Sequence, residues 1–199
     1  MERSPAIYPL FYAGNIAYYR SILTQEQEVL FEKHERFPKQ TYRNRLVIIG
    51  PNGIQKLIIP VQKTDERTMN ALQISHAENW RKDHWKGLEA AYRRSPYFEF
   101  YAHKLYPFYH GDKIAHLWDF NWNLATTIAD LLDLDWPQRS STSHTEEAAL
   151  DFRSHPFKTE DYPSYLQVFS DRHSFAPNLS ILDALFNLGP ASKDYLLKG

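Results

Sequence analysis

Two apolar runs separated by an Asn-Gly pair set the first constraint on how this chain can fold. Residues 46–49 read Leu-Val-Ile-Ile, residues 56–61 read Lys-Leu-Ile-Ile-Pro-Val, and Gly-Pro-Asn-Gly occupies residues 50–53. β-Branched side chains favour extended backbone, and Asn-Gly is a preferred pair in two-residue hairpin turns. The pattern therefore predicts a β-hairpin within residues 46–61.

The segment before this hairpin predicts the start of an α/β unit. Residues 5–11 read as an extended entry strand, Asn15 is placed to cap a helix from residue 16 to about 27, and residues 29–31 read as a short second strand. In such units, ligands tend to bind beyond the carboxyl ends of the strands.

The remainder of the chain is predicted to be mostly helical. Residues 71–75 are a further candidate strand, after which helices are expected over 80 to about 92, from Ser95-Pro96 to about 109, and over 113 to about 133. The expected fold class is α/β, with a small mixed sheet in the N-terminal half packed by helices from the C-terminal half. At 199 residues, we expect a single domain over 1–199.

The last third holds an irregular segment followed by helical signals. The Ser- and Thr-rich residues 137–145 predict a mobile loop outside the core, and residues 146–152 predict a short helix. Ser180 and Asp183 fit a Ser-x-x-Asp capping pattern better than a catalytic pair, in a helix closed by Gly189-Pro190. Residues 192–197 predict a final short helix.

Composition narrows the classes of function. The formal charge is -1, with 43% apolar and 24% charged residues, so a nucleic acid is not an expected partner. The absence of cysteine excludes disulfides and thiolate chemistry. Without an apolar run long enough for a signal peptide or a bilayer span, we expect a soluble cytoplasmic protein that does not insert into membranes.

A polar run over residues 39–45 leads directly into the first hairpin strand and is the main candidate for a binding site. It holds three cations and two amides: Lys39, Arg43, Arg45, Gln40 and Asn44. Guanidinium groups bind anions through paired hydrogen bonds, and amides add neutral ones, so the run suits a carboxylate, phosphate or sugar. The alternative is a solvated basic turn.

Three further residues complete the candidate site. Tyr12 follows the first strand, and Asn79-Trp80 opens a helix whose free amides favour an anion. His84, one turn further along, is either a general acid or base or a structural histidine. No second histidine has a metalloprotease spacing, so we predict no metal, and the sequence identifies no cofactor. We predict that Tyr12, Asn44, Arg45, Trp80 and His84 line a common pocket.

The aromatic content of 15% also allows two interpretations. Tyr and Trp rings suit the wall of a sugar-binding cleft, because they are half apolar and half hydrogen-bonding. The alternative is that these rings belong to the core and its rim.

Together these segments resemble the WbqC-like family of bacterial proteins. The resemblance covers nearly the whole chain and lies in Phe11-Tyr-Ala-Gly-Asn-Ile-Ala-Tyr-Tyr19, Lys39-Gln-Thr-Tyr-Arg-Asn-Arg45, Leu57-Ile-Ile-Pro-Val61, Asn79-Trp80 with His84-Trp85, Ser95-Pro-Tyr-Phe98, Tyr165-Leu-Gln-Val-Phe169 and Asn178-Leu-Ser-Ile-Leu-Asp183. In the first of these segments, Asn15 stands where the family often has a second proline.

The resemblance implies a role in surface polysaccharide synthesis, because family members are found in gene clusters for O-antigen and related polymers. It favours a transferase acting on an activated sugar, such as a sugar phosphate or nucleotide-linked sugar. Arg43 and Arg45 would bind its phosphate or carboxylate, Tyr12 and Trp80 would stack on it, and His84 would be the acid or base. Lys39, Asn44 and Asn79 would add substrate contacts. The alternative is a noncatalytic binding or scaffold protein for a biosynthetic partner, since no phosphate loop or nucleophile elbow is present.

Overall fold

A computed structural model of the chain describes residues 4–145, 148, 150–158 and 162–198. The strands and helices in this part follow one another as β1 (Ala6–Tyr8), α1 (Ile16–Leu23), β2 (Val29–Phe31), β3 (Arg45–Gly50), β4 (Gly53–Ile58), α2 (Trp80–Tyr92), α3 (Phe98–His110), α4 (Leu117–Leu131), β5 (Leu150–Asp151), α5 (Ile181–Leu188) and α6 (Ala191–Lys198). The predicted α/β class is confirmed.

A three-stranded parallel sheet forms the first part of the architecture, in the order β2-β1-β5. The expected strand, helix and strand are therefore present as β1, α1 and β2. The Asn15 side chain accepts a hydrogen bond from the Tyr18 N–H at the start of α1, as predicted. The helix ends at Leu23, four residues before the expected end, because Thr24 caps it and its hydroxyl donates to the Arg20 carbonyl.

The predicted hairpin is confirmed as the antiparallel pair β3 and β4, whose register runs from Arg45 opposite Ile58 to Gly50 opposite Gly53. Gly53 has a φ of 100°, a left-handed conformation that side chains other than glycine rarely adopt. The hairpin packs on α2, where Gly87 allows the Leu57 side chain to approach the helix.

The helical half differs from the prediction mainly in where its helices begin. α3 starts at Phe98, and Ser95 does not cap it; the Ser95 hydroxyl instead donates to the Tyr92 carbonyl at the end of α2. α4 starts at Leu117, because residues before it are extended and Gln73 forms a β-bridge with His116. The candidate strand at residues 71–75 contributes only isolated bridges.

The aromatic residues pack mainly in the core. Five tyrosines are at most 1% exposed: Tyr8, Tyr12, Tyr18, Tyr19 and Tyr92. Their rings pack against one another and against phenylalanines such as Phe157, with centroids 5–6.5 Å apart in most pairs. The high aromatic content is therefore explained mostly by the interior.

Residues 140–145, predicted to lie outside the core, do so only in part: residues 142–144 are exposed, but Ser141 is buried. Ser140 forms a parallel bridge with Phe31, and Ser141 is only 3% exposed. The Ser141 hydroxyl donates to the Glu32 carboxylate at 2.6 Å, and the Thr145 N–H donates to it at 2.8 Å. The buried carboxylate of Glu32 needs such donors, which is why this polar segment packs against β2.

The segment that follows residue 145 also differs from the prediction. Of the expected helix over 146–152, residues 146, 147 and 149 lie outside the described part, and Leu150–Asp151 is strand β5.

The Ser180 cap is confirmed: its side chain accepts from the Leu182 N–H at the start of α5, and Gly189 ends that helix. Asp183 has a further role, since its buried carboxylate accepts from the Tyr165 hydroxyl and the Gln167 amide and ties residues 165–167 to α5. α6 confirms the predicted final helix. Within the described residues, every helix is too short or too polar to span a membrane.

Candidate functional site

A cavity of about 350 Å³ lies where the 37–45 segment meets the end of β4 and the segment after it. Its wall combines four cations, four apolar side chains and four neutral polar residues: Lys39, Arg45, Lys63, Arg67, Phe37, Ile58, Val61, Leu72, Gln40, Asn44, Gln62 and Thr64. We call this the first cavity.

The four cations of the first cavity have no carboxylate partner within 4 Å among the described residues. Arg45 donates to the Gln40 carbonyl and Arg67 donates weakly to the Thr64 carbonyl, and neither contact neutralises charge. Because like charges repel, gathering unpaired cations around a concave surface is unfavourable unless an anion or solvent offsets it. The cavity wall is therefore suited to an anion.

Two buried polar atoms on adjacent residues of this wall also lack a partner. Asn44 is 8% exposed and donates from Nδ2 to the Ile59 carbonyl at 2.9 Å. That bond fixes the orientation of the amide, because a carbonyl only accepts, and it leaves Asn44 Oδ1 buried and unpaired; Arg45 Nε is buried and unpaired as well. A buried polar atom without a partner costs about 1–3 kcal/mol, so both atoms favour a ligand or an ordered water nearby.

Tyr12, Trp80 and His84 lie together in the interior, separate from the wall of the first cavity. The His84 ring packs against the edge of Trp80, with centroids 5.0 Å apart. Its Nδ1 is 2.9 Å from the Tyr12 hydroxyl, which is 2.9 Å from the Tyr109 hydroxyl. His84, Tyr12 and Tyr109 thus form a buried hydrogen-bonded chain.

The protonation of His84 follows from this environment. Burial lowers the pKa of His84 to about 4, although the nearby Ile58 carbonyl and the Asp83 carboxylate oppose the shift. At neutral pH the ring is therefore uncharged. Its Nδ1 is hydrogen-bonded to the Tyr12 hydroxyl.

Asn79 and Arg43, the remaining two predicted site residues, lie elsewhere. Asn79 lines a separate cavity of about 300 Å³ together with His76, Arg81 and Tyr109. Arg43 is 3% exposed and pairs with both carboxylate oxygens of Glu35 at 2.6 Å. Burial raises the pKa of Glu35, and the bonds from Arg43 oppose that shift.

The structure therefore does not bring the predicted residues into one pocket. Lys39, Asn44 and Arg45 line the first cavity, whereas Tyr12, Trp80 and His84 lie in the interior. The buried chain lies close to the cavity at Ile58, whose carbonyl is near His84 and which also lines the wall.

The sequence profile of the WbqC-like protein family matches residues 12–154, well over half of the chain. The chain belongs to the WbqC-like protein family. The match includes the whole 39–45 run and all the residues that line the first cavity. One similar protein is a Mycobacterium tuberculosis protein named "Uncharacterized protein Rv1507c". The two sequences are 25% identical over 213 aligned positions, which cover 89% of this chain and 91% of the other protein. No solved structure gives a significant match.

Sequence reasoning missed two cations of this WbqC-like protein's first cavity, Lys63 and Arg67. No motif in residues 63–67 marks them as part of a binding site. The signal that would have found them is their position just after β4, which pairs with β3 and so returns the chain to the 39–45 run. In the part of the chain that the structure describes, no group of three His, Asp or Glu side chains is placed to hold a metal ion.

Proposed function

We propose that this WbqC-like protein binds an activated sugar that carries phosphate groups in the first cavity, as part of surface polysaccharide synthesis. The observation that carries the proposal is the set of four unpaired cations around an apolar-lined cavity. A diphosphate carries two or more negative charges, so Lys39, Arg45, Lys63 and Arg67 match it better than they match a neutral sugar.

The rest of the wall suits the rest of such a ligand. Phe37, Ile58, Val61 and Leu72 provide apolar surface for a base or sugar ring, and Gln40, Gln62 and Thr64 offer hydrogen bonds to hydroxyls. A volume of about 350 Å³ lies at the lower end of the range for small-molecule sites.

A transferase reaction is the enzymatic form of this proposal. When the bond between sugar and phosphate breaks, the departing phosphate takes the electron pair and gains negative charge. Cations fixed near that phosphate would stabilise the charge as it develops. In this account His84 lies outside the cavity wall and does not exchange protons with the ligand.

Noncatalytic binding is the second candidate. It is favoured by the composition of the described wall, in which every ionisable side chain is Lys or Arg and none is a carboxylate or histidine. In the transferase form, a general base for the acceptor hydroxyl would therefore have to come from the acceptor itself or from a partner protein.

A thermal-shift comparison tests the shared binding claim. A ligand at about 100 times its Kd adds about 2.7 kcal/mol of stability, which raises Tm by several degrees. We expect a uridine diphosphate sugar and pyrophosphate to stabilise the protein, and a neutral sugar to have little effect. Lys63→Glu should reduce the stabilisation, because it places a like charge beside the phosphates.

The matched control is Lys56→Glu, which makes the same charge change at an exposed residue of β4 outside the cavity wall. An equal response of both variants, or equal stabilisation by the neutral sugar, would contradict the proposal. Release of nucleotide from the uridine diphosphate sugar when acceptors are added would favour the transferase over the noncatalytic form.

A further inference from the structure

A second cavity, of about 320 Å³, shares Arg45 and Gln40 with the first. Its other walls come from Phe11 and Tyr42 and from residues 153–156. The 38–45 segment thus contributes to two cavities, and Arg45 is the cation common to both.

The second cavity lies where an α/β fold usually binds its ligands. β1, β2 and β5 are parallel, so their carboxyl ends meet at one edge of the sheet. Phe11 follows β1 by three residues and Arg153 follows β5 by two, and both line the cavity. The crevice beyond the carboxyl ends of such strands is the common ligand position.

The charges around this cavity specify the charge of its ligand. Of its three arginines, Arg43 is paired with Glu35 and Arg153 is paired with Asp151, with an Nη2 to Oδ2 distance of 2.6 Å. Arg45 alone has no carboxylate partner among the described residues. One unbalanced cation matches a single carboxylate, whereas the four cations of the first cavity match a multiply charged phosphate.

The neutral groups specify the body of the ligand. The rings of Phe11 and Tyr42 lie with centroids 5.7 Å apart and present aromatic surface. Ser154 adds a hydroxyl group that can donate or accept a hydrogen bond, and the Thr41 hydroxyl, which donates to the Pro38 carbonyl, can still accept one. This combination suits a ring that carries both C–H faces and hydroxyls.

We propose that the second cavity is a separate binding site for a hydroxylated monocarboxylate of the sugar-acid class. Arg45 pairs with the carboxylate, Phe11 and Tyr42 contact the ring, and Thr41 and Ser154 bind hydroxyls. The site holds its ligand beside the first cavity and shares only Arg45 and Gln40 with it, so the two ligands compete for the Arg45 guanidinium alone among the charged groups.

Ligand-observed NMR with glucuronate tests this site, with glucose as the neutral counterpart. We expect glucuronate to bind, glucose to bind far more weakly, and saturating pyrophosphate to leave glucuronate bound. Ser154→Glu should weaken glucuronate binding about fivefold or more, because it adds a like charge at an exposed position of this cavity. Lys63→Glu, the matched change in the first cavity, should leave glucuronate binding intact and weaken pyrophosphate binding.

Arg45→Gln should weaken the binding of both probes, since this residue lines both cavities. The proposal is overturned if glucuronate does not bind, if saturating pyrophosphate displaces it completely, or if Lys63→Glu abolishes its binding while Ser154→Glu does not. Because pyrophosphate binding is measured in the same samples, loss of the second site is distinguished from failure of the first.

Discussion

Three consecutive residues, Arg43, Asn44 and Arg45, have different roles because a turn at residues 42–43 ends where β3 begins at Arg45, so their side chains do not follow the alternation of a strand. Arg43 is buried and paired with Glu35, while Arg45 is only partly buried and has no carboxylate partner among the described residues. The buried ion pair gives Arg43 a structural role. Sequence alone could not separate the two arginines, because the partner Glu35 becomes a neighbour only once the loop has folded.

His84 illustrates the same limit. Its helical position beside Trp80 was predicted correctly, but its burial and its hydrogen bond depend on residues such as Tyr12, which is distant in sequence.

The buried state of His84 predicts a pH dependence of stability. Its pKa is lowered to about 4 in the folded protein, against about 6.5 in an unfolded chain. Between these values the unfolded chain binds a proton that the folded protein does not, so stability falls as the pH falls from 6.5 towards 4. Lowering the pH from 7.5 to 4.5 should cost the wild type about 2–3 kcal/mol more than His84→Gln.

Urea unfolding of both proteins at the two pH values measures this difference. If both lose the same stability, then His84 is not held neutral in the interior.

At the scale of the elements, the sequence predicted what depends on nearby residues. The β3 and β4 hairpin, the Asn15 and Ser180 caps and the position of α2 all follow from short patterns that specify a turn, a cap or a helix face. The packing of residues 140–145 could not be found in this way, because its partners Phe31 and Glu32 are more than 100 residues away.

Ser141 gives this packing a test. Its hydroxyl donates to Glu32, whose pKa is lowered because donors from Ser141, His34 and Thr145 outweigh the effect of burial. A hydrogen bond to a charged group contributes about 1.5–3 kcal/mol, so Ser141→Ala should lower the free energy of unfolding by about that amount.

The control is Ser143→Ala, the same change at an exposed position two residues away, which should stay within about 0.5 kcal/mol of the wild type. Chemical denaturation of the three proteins measures both effects. Equal stability of the two variants would restore the original prediction that this segment lies outside the core.

At the scale of the whole molecule, the net charge of -1 conceals an uneven distribution. The four unpaired cations of the first cavity come from two segments, 39–45 and 63–67, which the hairpin brings together. The α/β class and the family were predictable from the order of motifs along the chain. The division of the predicted residues between a cavity wall and a buried chain was not, because it depends on how the hairpin packs over α2.

The central claim is that the first cavity, and not the start of α2, is where this protein binds a phosphate-bearing ligand. Titration of the ¹⁵N-labelled protein with a uridine diphosphate sugar, followed through its backbone amide resonances, tests it most directly. The account predicts that the largest shifts occur at Lys39, Asn44, Lys63 and Arg67, with small shifts at Asn79 and Arg81. Shifts concentrated at Asn79 and Arg81, with none at Lys63 and Arg67, would contradict it.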